Sequence, residues 1–117
     1  MLSDPKDAAF IFEMHRSLRE IAELIDGEDE ADFLADRAKP HALAMCFLML
    51  GEAANRISRA TWALHPQVEW RGIANLRHLI AHEYRKLDHG QLWKLATRDA
   101  RTLVRALPTP PPPEDIF

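Results

Sequence analysis

Residues 40–57 have the sequence PHALAMCFLMLGEAANRI, the most apolar helical segment of the chain. Pro40 disfavours helix at the residue before it but suits a helix start. Apolar side chains then recur at helical spacing in one stripe, at Leu43, Phe47, Leu50, Ala54 and Ile57, while Met45, Leu48 and Met49 add apolar surface on other sides. A helix that is apolar around most of its circumference is buried on more than one side. In a chain this small, we expect the second buried side to be a subunit interface.

Further helices are predicted on both sides of this stretch. Near the N-terminus, Asp4 can cap free amides and Pro5 suits the first helical position. An amphipathic helix is therefore expected from about residue 5 to residue 25, ending near Gly27. The acidic stretch 28–36 follows and is either a short helix or a turn.

The second half of the chain also predicts helices. The stretch 62–66 interrupts the helical pattern, and a third long helix is expected from about Trp70 to Tyr84. Asp88 resembles an N-cap, with Gln91 at the capping-box position of a last helix. The apolar positions of that last helix are Trp93, Ala96, Ala100, Leu103 and Leu107. Strand-like alternation and glycine-rich phosphate loops are absent from the sequence, so the predicted fold class is all-α.

Size and composition fit a single domain. With 117 residues, of which 47% are hydrophobic, the chain is long enough for one core and too short for two ordinary domains. We expect the domain to span residues 1–107, followed by a proline-rich, extended and mobile tail over residues 108–117. No apolar run reaches bilayer length and no signal peptide is recognisable, so a soluble, cytoplasmic protein is expected. The single cysteine, Cys46, is interpreted as a core residue.

Charge is distributed unevenly along the chain. The formal net charge is -3, which by itself does not favour a nucleic-acid partner. Residues 1–36, however, carry 3 Lys/Arg and 11 Asp/Glu, whereas residues 37–105 carry 12 Lys/Arg and 5 Asp/Glu. Either these are solvated helix faces of opposite sign that pack together, or the basic part provides a phosphate-binding surface.

Residues 77–84, with the sequence RHLIAHEY, are the richest in potential chemistry. On a helical projection, one face is expected to meet the core and gathers Ile73, Leu76, Leu79 and Ile80. The outward face carries His78, His82 and Arg85, with Arg77 and Tyr84 beside them and the small residues Ala74 and Ala81 between the two groups. This outward face is cationic, and its small residues would let a second helix approach.

Such a face suits RNA cleavage by internal transesterification, which needs a base, an acid and a cation over the phosphate. Histidine transfers protons near neutral pH, and arginine supplies planar, permanently charged donors. Spacing alone leaves an ordinary explanation open, in which the arginine is solvated and the histidines are favoured by the helix C-terminus. A zinc site at His78 and His82 is not expected, because Leu79 stands where a zinc protease has its glutamate and no third ligand is evident.

Three segments resemble the HEPN superfamily, in its branch of HepT-like ribonuclease toxins. Arg77, His82 and Tyr84 match the R-x4-H-x-Y signature of that branch. Residues 50–58, LGEAANRIS, resemble its "IGEAAKRLS" segment, and residues 65–77 resemble "HPEIPWREIAGMR" through HP followed by WRGIANLR. One short pattern is weak, but the same order and spacing across three segments is specific. The resemblance covers roughly residues 4–107.

The resemblance implies an up-down bundle of four to five helices that forms a homodimer, with a metal-independent endoribonuclease site at the dimer cleft and no cofactor. Arg77 would bind the scissile phosphate and His82 would transfer protons, with His78 and Glu52 as supporting groups. It also implies a type VII-like toxin–antitoxin pair, in which an MntA-like nucleotidyltransferase antitoxin transfers AMP to Tyr84. The added group would place bulk and negative charge beside Arg77 and His82, and so compete with RNA.

Two positions depart from the family pattern. His78 stands where the family usually has asparagine, and it would serve as a second acid or base, replace a lost hydrogen bond, or alter the activity. Ala44-Met45-Cys46-Phe47 stands where the family often has a polar Arg-Asn pair, so we expect a more apolar edge of the cleft or interface.

The alternative function is a catalytically weak HEPN module that docks a nucleotidyltransferase or binds a nucleotide. A third hypothesis for the function is a helical dimer that has only an assembly role.

Overall fold

Helices make up the regular structure of residues 4–109, the part of the chain that the computed structural model describes. The first five are α1 (Asp7–Ile25), α2 (Glu30–Ala35), α3 (Lys39–Arg56), α4 (Arg59–Leu64) and α5 (Trp70–Glu83). A 3-10 turn (Tyr84–Lys86) follows, and then one continuous helix made of α6 (His89–Lys94), a π-helical segment (Leu95–Asp99) and α7 (Ala100–Ala106). The all-α bundle is therefore confirmed, while residues 110–117 of the expected tail lie outside the described residues. Among residues 4–109, no helix is long and apolar enough to cross a membrane.

Helix α3 lies at the centre of the bundle and packs against both α1 and α5. The apolar stripe predicted for it is fully buried, at Leu43, Phe47, Leu50, Ala54 and Ile57. Met45 and Met49, in contrast, are 57% and 50% exposed. Two sides of α3 are thus buried within one chain, and an interface over the two methionines stays a prediction.

The ends of α1 follow from local sequence. The Asp4 carboxylate accepts a hydrogen bond from the Lys6 amide at 2.9 Å, but the prediction that Asp4 caps α1 is wrong, because the N-cap position is Lys6 and no side chain caps it. The helix begins at Asp7 rather than near Pro5, since the Asp7 amide donates to the Asp4 carbonyl at 2.9 Å and closes a turn. At the other end, Gly27 has a φ of 72°, a left-handed conformation that favours glycine, and the helix stops where predicted.

Caps also define the short helix α2 and the last helix. The acidic stretch 28–36 contains a helix, because the Asp29 carboxylate accepts a hydrogen bond from a first-turn amide at 2.8 Å. Its one buried side chain, Phe33, packs on Trp93 of α6 with ring centroids 5.1 Å apart. Asp88 caps α6 as predicted and accepts from an amide two residues on at 2.8 Å.

The predicted interruption at 62–66 is wrong in its first half, where α4 forms. Ser58 caps α4, since its hydroxyl oxygen accepts from the Thr61 amide at 3.2 Å. Ser58 is itself held by Asp7, which lies 51 residues earlier and is only 2% exposed. The Asp7 carboxylate accepts from the Ser58 amide at 2.9 Å, the Ser58 hydroxyl at 2.7 Å and the Thr61 hydroxyl at 2.6 Å. Burial would raise the pKa of Asp7, but the hydrogen bonds from Thr61 and Ser58 outweigh it and lower that pKa.

Helices α3 and α5 meet at backbone level beside Gly51. A methyl group on Gly51 would lie 2.7 Å from the Arg77 amide nitrogen and 2.8 Å from the Ile73 carbonyl oxygen. Only glycine permits this approach. The close approach of the two helices buries Ala74 of α5. The predicted core face of α5 is therefore wrong at Leu79, which is 45% exposed.

Gly51→Ala is expected to lower the free energy of unfolding by about 1–3 kcal/mol, because overpacking against a fixed backbone outweighs the helix gain of alanine. Urea denaturation measures the difference. Gly72→Ala is the matched control, since Gly72 is exposed on α5 and a methyl group there meets no described atom within 4 Å. The control should gain up to about 1 kcal/mol. A Gly51→Ala protein as stable as the Gly72→Ala protein would contradict the backbone contact.

Asp7→Asn is expected to cost about 1–3 kcal/mol at neutral pH, because an amide group then faces the hydroxyl donors of Ser58 and Thr61. The folded-state pKa of Asp7 is lowered from 3.8, so its contribution is present above that value and is lost as the pH falls through the folded pKa. Denaturation curves from neutral pH to about pH 3 should therefore show the gap between wild type and variant closing in acid. The exposed Asp26→Asn serves as control and should leave the stability almost unchanged.

Candidate active site

Arg77 lies in the middle of α5, at the closest approach of α5 to α3. Its Nη1 donates to Glu52 Oε2 at 3.2 Å, and Glu52 Oε1 accepts from Arg56 Nε at 3.2 Å. Because Glu52 directly follows Gly51, the backbone contact of the two helices brings its carboxylate to the guanidinium. Both side chains of the Arg77–Glu52 pair are about half-exposed. The structure thus joins two predicted site residues in one surface ion pair.

His78 and His82 occupy successive turns of α5 and form a pair on its outward face. Their ring centroids are 4.3 Å apart, and both residues are exposed. Of the two small residues predicted beside them, Ala81 is exposed, whereas Ala74 is buried in the core of the same chain. Ala81 therefore remains available to a second helix and Ala74 does not. Within residues 4–109, no three His, Cys, Asp or Glu side chains are placed to hold a metal ion.

Tyr84 begins the 3-10 turn that follows α5, one residue beyond the helix. Its side chain is 43% exposed. The hydroxyl is hydrogen-bonded to Nδ1 of His41, and the two ring centroids are 5.4 Å apart. The Tyr84 hydroxyl thus binds to α3, while part of the side chain remains exposed to solvent.

His41 and its neighbour His89 were not singled out by sequence reasoning. The His89 ring meets His41 edge-on, with centroids 6.0 Å apart and planes at 80°. His41 precedes Tyr84 by 43 residues, so no local spacing connects them. One signal was available, because His41 falls on the same helical face as Glu52 when α3 is projected at about 100° per residue.

The two oppositely charged parts of the chain meet at one ion pair among residues 4–109, between Lys39 and Glu28. Packing of the acidic part of the chain against the basic part therefore explains little of the uneven charge distribution. Arg85 and Lys86, next to Tyr84, are exposed and form no ion pair with another described residue. Cations near the end of α5 are thus open to an anionic ligand, as a phosphate-binding surface requires.

The predicted apolar edge at residues 44–47 is smaller than expected. Ala44, Cys46 and Phe47 are buried, so only Met45 of these four reaches the surface. Burial and the nearby Glu20 raise the pKa of the Cys46 thiol to about 11, which leaves it protonated and unreactive. The prediction that Cys46 is a core residue is confirmed.

Comparison with known proteins places the chain in a family. The family profile described as Ribonuclease HepT-like matches residues 14–109. A protein of Thermococcus cleftensis named "Probable ribonuclease HepT" is 32% identical over 93 residues, which cover 74% of this chain and 84% of that protein. A protein of Methanocaldococcus jannaschii, named as a candidate RNase, is 25% identical over 91 residues, covering 78% of this chain and 84% of that protein.

A third relative, from Caldanaerobacter subterraneus and also named as a candidate RNase, is 24% identical over 85 residues, with 73% of this chain and 76% of that protein covered. No solved structure matches the chain significantly. The matched family region contains α3, α5 and the 3-10 turn, and with them the residues discussed above. On the extent of the profile match and the identity to the Thermococcus protein, the chain belongs to the HepT-like ribonuclease family.

Proposed function

We propose that this chain is a cytoplasmic toxin, a metal-independent endoribonuclease that cleaves RNA at a homodimer site built on Arg77 and His82. An MntA-like nucleotidyltransferase antitoxin neutralises it by AMP transfer to Tyr84. Family membership supports the reaction class. The observation that carries the site is the half-exposed Arg77 guanidinium on the same helix as the exposed pair His78 and His82.

In this proposal, each side chain performs one part of internal transesterification. Arg77 binds two non-bridging oxygens of the scissile phosphate through its planar donors and offsets the charge that builds up during reaction. His82 moves a proton, from the 2′-hydroxyl or to the leaving 5′-oxygen. His78, in ring contact with His82, is the second group that can exchange a proton with the substrate. The reaction leaves a cyclic phosphate and a 5′-hydroxyl.

Glu52 keeps the Arg77 guanidinium oriented while no RNA is bound. An exposed ion pair of this kind is worth about 0–1 kcal/mol, so an RNA phosphate can compete with the carboxylate or share the guanidinium with it. The second contact of Glu52, with Arg56, holds the carboxylate when Arg77 turns to substrate. Glu52 is thus a positioning residue.

The proposed homodimer brings two copies of Arg77 and His82 to one phosphate. Its support is the exposed apolar surface of α3, where Met45 and Met49 project on the face that also carries Glu52. Burying that surface against a second copy would remove it from water beside the catalytic groups. The exposed Ala81 leaves room for the partner's helix on the α5 side.

Arg77→Ala and His82→Ala are each expected to lower RNA cleavage by at least about 100-fold, because a cation over the phosphate or a proton-transfer group is lost. Unmodified proteins are assayed on a labelled RNA, with and without EDTA, and EDTA should leave the wild-type rate unchanged. Arg101→Ala removes an exposed arginine of α7 and should retain the rate. Light scattering checks the dimer, and loss of the dimer in both variants would make the motif structural instead.

Co-expression with an MntA-like nucleotidyltransferase antitoxin is expected to add AMP to Tyr84 and abolish cleavage. Tyr84 is the one tyrosine of the chain, so intact mass and peptide mapping assign the modification unambiguously. Tyr84→Phe should remain unmodified and retain cleavage in the presence of the antitoxin. Modified protein that cleaves at the unmodified rate would refute the switch. An unmodified, RNA-inert protein that still binds the nucleotidyltransferase would favour a docking module.

A further inference from the structure

The hydrogen bond between the Tyr84 hydroxyl and His41 Nδ1 joins α3 to the 3-10 turn after α5. The roles proposed above for Arg77, His78 and His82 make no use of His41. We infer that His41 holds the Tyr84 hydroxyl and accepts its proton when that oxygen attacks the α-phosphorus of a nucleoside triphosphate. The inference rests on the proposed AMP transfer to Tyr84 and adds a residue of this chain to that reaction.

A tyrosine needs help to act as a nucleophile. Near neutral pH a phenol is almost entirely protonated, and it reacts well only when a base takes the proton. Neutral imidazole is the side-chain base suited to that pH range, and it must lie within hydrogen-bond reach of the proton it removes. His41 meets this requirement in the resting protein. With Nδ1 as the acceptor, the ring proton belongs on Nε2.

The surroundings hold the His41 ring by packing and leave it accessible. The Tyr84 ring tilts against it at 34°, and the His89 ring meets it edge-on. Within residues 4–109, no carboxylate is ion-paired or hydrogen-bonded to His41. Because His41 is exposed and Tyr84 is half-exposed, a nucleotide carried by a partner protein can reach the hydroxyl oxygen.

The step balances without an oxidant or reductant. The Tyr84 oxygen forms a bond to the α-phosphorus of a magnesium-bound nucleoside triphosphate held by the transferase. The bond from that phosphorus to the bridging oxygen of the β-phosphate breaks, and pyrophosphate leaves with the electron pair. The hydroxyl proton moves to His41 Nδ1 and then to water, since the ring is exposed.

Two substitutions separate proton acceptance from simple hydrogen bonding. His41→Asn places a carbonyl oxygen near the position of Nδ1, so it can accept the hydrogen bond but does not take the proton. His41→Ala removes both functions. His15→Asn is the matched control, because His15 lies on α1 and is bonded to the Pro108 carbonyl. All proteins are first checked for helix content and for RNA cleavage, which His41 variants should retain.

The first measurement is the initial rate of AMP incorporation at Tyr84, with full-length partner transferase and magnesium ATP. We expect His41→Asn and His41→Ala to lower kcat by about 100-fold, the range of a lost general base, with little change in KM for ATP. His15→Asn should match wild type. An unchanged kcat in His41→Asn, or an effect confined to KM, would overturn the inference while leaving AMP transfer to Tyr84 intact.

The second measurement needs no partner and keeps the two proposals separable. N-acetylimidazole acetylates phenols, and peptide mapping reports O-acetylation at Tyr84 that hydroxylamine reverses. We expect both His41 variants to acetylate at least about tenfold more slowly than wild type. If wild type takes no AMP, the proposed function fails, and slow acetylation of the variants still supports His41 as the base for Tyr84. Equal acetylation rates would overturn it.

Discussion

The close contact of α3 and α5 at Gly51 is the constraint on which the rest of the site depends. With no side chain at Gly51, the backbones of the two helices touch, and the residue that follows, Glu52, comes directly beside Arg77. Near the opposite end of α3, the same packing brings His41 to Tyr84. These two pairings run in opposite senses along the chain, so α3 and α5 are antiparallel. The glycine at position 51 therefore sets how α3 and α5 are aligned, and with it the positions of the proposed cleavage site and the proposed modification site.

Stability and chemistry draw on different interactions in this fold. The buried stripe of α3 and the Asp7 cluster hold the helices together, because burial of apolar area and satisfied buried hydrogen bonds carry most of the folding free energy. The half-exposed Arg77–Glu52 pair contributes little to it. Because the ion pair is weak, the folding free energy does not hold the Arg77 guanidinium on Glu52. The guanidinium can change partners when a phosphate arrives without unfolding a helix.

The sequence predicted what local patterns determine and missed what packing determines. Helical spacing and the cap at Asp88 predicted most helices correctly. Helix α4 was missed although its cap at Ser58 is local, because a helix of 6 residues is too short to show a clear helical repeat. The core face predicted for α5 is confirmed at Ile73 and Ile80 but wrong at Leu79, since a helical projection orders the side chains but does not show which edge meets a neighbour. The sequence also did not indicate that His41 bonds to Tyr84, because the two residues are 43 positions apart and meet only through packing.

The position of Tyr84 explains why a single covalent change could govern the site without altering the fold. Tyr84 lies one residue beyond α5 and outside the core, so an attached nucleotide displaces no buried side chain. At a rise of 1.5 Å per residue, Arg77 is about 10 Å away along the helix axis, which is close to the screening length at physiological salt. Arg85 and Lys86 are nearer still and form no ion pair with another described residue. A phosphodiester at Tyr84 would therefore satisfy the same cations that RNA needs, and inhibition would require competition for charge rather than a conformational change.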